Sequence, residues 1–133
     1  MNIYIEKDKI GWGNRLIIKD DNEVTVDFCY DQSCCEIFGY YVTDKQPVDM
    51  IDIAEPEINI SCDNYNFRTI FFDELTEVGE EDNIERNAVV FKLINSDDKE
   101  LFIVLYNVVY CPHSKPHDYV FSDKDKVIRE GII

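Results

Sequence analysis

The residues best suited to chemistry fall in two short runs. Cys111-Pro112-His113 and His117, between Pro112 and Pro116 and just past it, hold both histidines of the chain. Cysteine and histidine are the ligands zinc prefers, and C-x-H-x3-H supplies Cys111, His113 and His117 from one loop. A structural zinc site normally draws on two short ligand pairs, and no second pair is evident. The alternative is a proline-fixed surface loop carrying two exposed histidines, and the expectation is no metal and no cofactor. The second run is Asp31-Gln32-Ser33-Cys34-Cys35-Glu36. A reactive thiol needs positive charge or a helix N-terminus nearby, and this run offers acids instead. Cys34 or Cys35 with His113 or His117 is therefore a weak nucleophilic pair. The plainer expectation is that Asp31 caps a turn, one cysteine packs in the core and Glu36 faces solvent. Trp12, between Gly11 and Gly13, suits a partner anchor or a stacking surface, and Tyr30, Tyr40, Tyr41, Tyr106, Tyr110 and Tyr119 suit a pocket or a core. No phosphate-binding loop, dinucleotide fingerprint, nucleophile elbow or H-E-x-x-H is present.

Charge is the second candidate. The chain of 133 residues has 28 acids, 13 bases and a formal net charge of −15. Residues 1–43 contribute −4, residues 44–85 contribute −11 and residues 86–133 contribute zero. Such a balance excludes clustered Lys and Arg on a phosphate backbone, and it excludes docking on anionic lipid. Carboxylates in that number repel one another, and a cationic partner relieves the repulsion. Asp73, Glu74, Glu77, Glu80, Glu81 and Asp82 are the candidate partner-binding residues. The competing reading is a solvated loop that keeps the protein in solution. Self-association is disfavoured unless the acids face away from the interface.

These groups must be positioned by strands. Hydrophobic residues make up 45% of the chain, enough for one packed domain over residues 1–133. Period-2 alternation predicts strands at Ile3–Glu6, Arg15–Lys19 and Val24–Cys29, with Asp20-Asp21-Asn22 as turn chemistry. Cys34–Thr43 reads as a further strand in which Gly39 marks a bulge or a close approach. Asn87–Ile94, a polar turn at Asn95–Asp98 and Lys99–Tyr110 form a hairpin. Its second arm is apolar on both faces, so it belongs between two layers. Tyr119–Ser122 and Val127–Ile132 close the pattern, while Val48–Ala54 and Asp73–Val78 offer at most a helical turn or two. The expected fold is mostly β: a single-domain antiparallel sandwich or partly open barrel with an irregular acidic middle. No basic n-region with an apolar stretch opens the chain, and five cysteines without framework spacing suit a reducing cytosol.

Two stretches together resemble a group of small bacteriophage and prophage proteins without assigned activity. They are D-Q-x-C-C-E (Asp31, Gln32, Cys34, Cys35, Glu36) and a late hairpin ending L-Y-N (Leu105, Tyr106, Asn107). The group continues into an H-N-G-Y-Y-like turn, where this chain has Val108-Val109-Tyr110-Cys111-Pro112-His113. The resemblance implies a phage-type origin and the cytoplasm of a bacterial host. Small acidic phage proteins commonly block host factors, anti-viral defence proteins among them, so the expected function is non-enzymatic inhibition of a host protein through a nucleic-acid-mimicking surface. A sponge for a defence-signalling nucleotide is the alternative, and a thiol or zinc enzyme is the third.

Overall fold

The computed structural model describes residues 1–7, 13–31, 36–49, 60–78, 84–110 and 117–133. All regular structure among them is β: β1 (Asn2–Lys7), β2 (Asn14–Lys19), β3 (Val24–Cys29), β4 (Glu36–Thr43), β5 (Asn66–Phe67), β6 (Asp73–Val78), β7 (Glu85–Ile94), β8 (Glu100–Val109), β9 (Asp118–Asp123) and β10 (Lys126–Ile132). One antiparallel sheet has the order β1-β2-β3-β9-β10. The other runs β4-β8-β7, with β5 and β6 both pairing along β7. The two sheets face each other as a sandwich, not as a closed barrel.

Alternation decides which residues enter the core. Leu16, Ile18, Val24, Val26, Phe28, Tyr119 and Phe121 of the first sheet meet Val42, Val89, Phe91, Leu93, Leu101, Ile103 and Leu105 of the second. Phe121 is the hub, with ring centroids 4.9 Å from Phe91 and 5.5 Å from Phe67. Edge-to-face packing of this kind adds to the burial itself. The two apolar faces of β8 have separate uses. Phe102 and Val104 point away from the main core into a second cluster with Tyr41, Ala88 and Val90, flanked by Phe71, Leu75 and Tyr106. The Lys92 ammonium closes that cluster 4.5 Å from the Phe71 ring centroid, within 3.6 Å of Glu100.

Two turns repeat one device. Asp20 donates its amide to the Val24 carbonyl and accepts the Glu23 amide, while its Oδ1 takes the amides of Asn22 and Val24. Asn95 does the same with Lys99, Asp98 and Asp97. Each turn then needs one residue in the left-handed region: Glu23 at φ 65° and Asp98 at φ 60°. Aspartate tolerates that conformation better than glutamate does. Replacing Glu23 with glycine should therefore raise stability by about 1 kcal/mol, and Asp98→Gly by less. Urea melts of the two variants check the order, and a loss in Glu23→Gly contradicts it.

Two local expectations change. Asp73–Val78 is a strand, not a helical turn, because Leu75 lies against Ala88 and Glu77 against Arg86 along β7. Gly39 lies in an unbroken β4–β8 register, so it is a close approach and not a bulge. A Cβ there would sit 2.9 Å from the Tyr106 hydroxyl oxygen. Val48 and Asp49 are not helical, and the rest of Val48–Ala54 lies outside the described residues.

Candidate functional site

At one end of the sandwich β3 and β8 finish while β2, β4, β7 and β9 begin. Asp31 and Glu36 of the first motif stretch lie there, close to the end of β8 that carries Tyr106 and Asn107. Glu36 pairs with Val109, Phe38 with Asn107 and Gly39 with Tyr106. Seventy residues of separation are closed by one strand pairing. Asp31 caps the start of β2, its Oδ1 accepting the Asn14 amide at 2.6 Å. Burial pushes the Cys29 thiol up, which disfavours its thiolate.

The centre of this end is a buried pair. His117 is 1% exposed and its Nε2 lies 2.8 Å from Glu36 Oε1, whose side chain is fully buried. His117 Nδ1 lies 2.8 Å from the Cys29 carbonyl oxygen. That oxygen only accepts, so Nδ1 carries a proton and donates it. One further proton sits between Nε2 and Oε1. The pair is neutral as a unit whether that proton rests on the imidazole or on the carboxyl. The ring also packs 4.4 Å from Phe38 and 5.6 Å from Phe28. The His117 main chain exchanges two hydrogen bonds with Ile133, whose carbonyl also accepts from Asn107 Nδ2.

Two expectations are corrected here. Glu36 does not face solvent, and His117 is not exposed. A mostly apolar strand start gave no hint that a carboxylate 81 positions upstream neutralises the imidazole. Both His117 nitrogens are engaged, so neither is open to zinc in this arrangement. Among the described residues no group of three His, Cys, Asp or Glu is placed to hold a metal. Gln32, Cys34, Cys35, Cys111, His113 and Trp12 lie outside the described residues. Glu36 and His117 have the spacing of an acid–base couple but no solvent access. Their arrangement holds the two sheets together.

Comparison of the chain with protein-family models, with curated proteins and with solved structures found no match.

The acidic candidates lie elsewhere. Among the described residues β6 pairs only with β7, at the margin of its sheet. It carries Asp73, Glu74 and Glu77 and no base. Their roles differ. Glu74 reaches toward the first sheet and accepts the Tyr119 hydroxyl at 3.3 Å. Burial, reinforced by Glu74, pushes the Tyr119 phenol up to about 12. Gly131 makes room for that phenol, since a Cβ there would meet its oxygen at 2.7 Å. Glu77 is exposed and loosely paired with Arg86 at 3.7 Å. Asp73 is half-buried and accepts the neighbouring Glu74 amide. Glu80, Glu81 and Asp82, in the connection that follows, lie outside the described residues.

The aromatic residues divide as core and rim. Tyr41 and Tyr119 are buried, Tyr30 and Tyr40 pack on the main core, Tyr106 covers the second cluster and Tyr110 is 46% exposed. Of the bases an anionic ligand would need, Arg15, Arg86, Lys92 and Arg129 are engaged, while Arg68 is exposed. Arg15 is tied to Asp27 at 2.6 Å and Asp118 at 2.9 Å, and Arg129 stacks 4.2 Å from the Phe72 ring centroid. Burial pulls the Arg15 guanidinium toward deprotonation, but Asp118 and Asp27 outweigh it and hold the charge. Arg86 and Lys92 have Glu77 and Glu100. No helix among the described residues is long and apolar enough to cross a membrane.

Proposed function

We propose that this is a non-enzymatic binding protein, of the small phage-encoded kind its two motif stretches resemble, that inhibits a host protein by covering a basic surface. The observation that carries the reading is β6: a strand that pairs, among the described residues, only with β7, with three carboxylates, no base and three more acids in the connection after it. A row of carboxylates along an edge matches the charge sign and rough linearity of a phosphate backbone, so a nucleic-acid-binding surface is the natural complement. Occlusion is steric and electrostatic, and no covalent step is involved. Asp73, Glu77, Glu80, Glu81 and Asp82 meet the partner, while Glu74 spends its carboxylate on Tyr119. The nucleotide-sponge reading draws little support from a chain in which Arg15 and Arg86 are paired with carboxylates and the remaining bases are scattered.

The test is capture from bacterial lysate on immobilised protein, in parallel with a variant carrying Asp73→Asn, Glu77→Gln, Glu80→Gln, Glu81→Gln and Asp82→Asn. Wild type should retain a basic protein at about 0.1 M salt and release it near 1 M, where charge is screened within ~3 Å. The variant should retain none of it. Equal retention by both chains, or no retained protein, would overturn the reading.

A further inference from the structure

Between β6 of one sheet and β9 and β10 of the other, residues from three strands fit together. Tyr119 on β9 is 2% exposed and lies opposite Gly131 on β10 in the register. Glu74 on β6 is exposed, and its Oε1 accepts the Tyr119 hydroxyl at 3.3 Å. A Cβ on residue 131 would meet the phenol oxygen at 2.7 Å and two ring carbons at 3.0 Å. The phenol therefore lies across the β10 backbone, in the space a side chain would take, and reaches the other sheet from there. The Gly131 φ is not positive, so the phenol, and not the backbone, is what requires glycine there. A second contact fastens the start of the same strand. Phe72 stacks on the Tyr119 ring with centroids 5.9 Å apart, and the Arg129 guanidinium lies 4.2 Å from the Phe72 ring centroid.

Side chains alternate along a strand, so fixing one residue fixes the faces of its neighbours. Glu74 points toward the first sheet. Leu75 packs on the second cluster, on the opposite face, and Glu77 pairs with Arg86 there. Asp73, two residues from Leu75, shares that face. A strand with polar residues on both faces holds its register weakly unless something else fixes it. A slip of one residue along β7 would carry Asp73 and Glu77 to the inner face. We propose that Tyr119 is a positioning residue for the acidic strand: its hydroxyl, passing over Gly131 to Glu74, latches β6 to the first sheet and keeps Asp73 and Glu77 on the outward face. The inference rests on the reading of β6 as the strand that meets a basic partner.

Amide hydrogen exchange on the full chain, read segment by segment, tests the latch without any partner. Tyr119→Phe removes one oxygen and keeps the ring. Residues 73–78 should then exchange roughly fivefold faster, as expected for the loss of one hydrogen bond, while residues 14–19 keep their wild-type rates. Gly131→Ala displaces the phenol and should match Tyr119→Phe. Glu74→Ala should match it as well, whereas Glu74→Gln keeps an acceptor oxygen and should stay near wild type. Binding of the basic protein captured from lysate reads the consequence for the site. Tyr119→Phe should weaken it about three- to tenfold through faster dissociation, with the salt slope of wild type, because no outward carboxylate is lost. Unchanged exchange at residues 73–78 in Tyr119→Phe, acceleration spread equally over both sheets, or faster exchange with unchanged affinity would each overturn the proposal. Failure to capture any protein would overturn the partner reading instead, and the exchange pattern would then decide the latch by itself.

Discussion

His117→Ala is expected to destabilise the fold by about 3–5 kcal/mol, the usual result of removing one partner of a buried pair. The imidazole and the Glu36 carboxyl share one proton and are neutral together. Without the ring, the buried Glu36 carboxyl loses its 2.8 Å bond to Nε2. The packing against Phe38 and Phe28 is lost as well. Glu36→Gln separates these effects. Its amide donates to Nε2 while Nδ1 still donates to the Cys29 carbonyl, so the loss should be near 1 kcal/mol. Replacing both residues with apolar ones of similar volume should cost much less than the two single changes added together. Urea unfolding at constant slope measures each value. A loss under about 1 kcal/mol in His117→Ala would mean that the pair does not hold the sheets.

The second large effect is expected at Asp20. This carboxylate is 4% exposed, and it accepts three amides at 2.9 Å: Asn22 and Val24 on Oδ1, and Phe67 on Oδ2. The first two close the β2–β3 turn. The third crosses to the other sheet and holds β5, which is only two residues long and has little else to fix it. Asp20→Ala strands three amides, two of them in buried bonds, and should cost about 3–4 kcal/mol of a total stability near 5–15. Asp20→Asn keeps the shape and the turn but points an amine at the Phe67 amide. Its loss should be about half as large, and near-equality of Asn and wild type would show that the crossing bond to Phe67 contributes little.

Strands with strict alternation were legible because burying one face leaves a periodic trace. Val24–Cys29 is observed at those bounds, and the β7–β8 hairpin with its Asn95–Asp98 turn matches within a residue or two. The two-faced burial of β8 followed from its lack of any polar side, and the second cluster around Phe102 and Val104 is the reason. β5 and β6 were not legible. β5 exists because Asp20 and β7 hold it, and β6 reads D-E-L-T-E-V, a poor strand by propensity whose partner, not its composition, makes it extended. The buried pair was hidden for a similar reason. Glu36 and His117 each look like surface residues alone, and only the meeting of β4, β3 and β9 neutralises them. Asp20 was readable as a turn residue, but its bond to a segment 47 residues away was not. The acidic excess lies in residues 44–85, yet the separate role of Glu74, which accepts from Tyr119, needed Tyr119 in view.

The acidic edge is tested most directly by titrating the captured partner against wild type and the five-carboxylate variant across salt. Wild-type affinity should fall steeply between about 0.05 and 0.5 M salt, while the variant binds weakly and almost independently of salt. A variant that matches wild type in both affinity and salt slope would contradict the account.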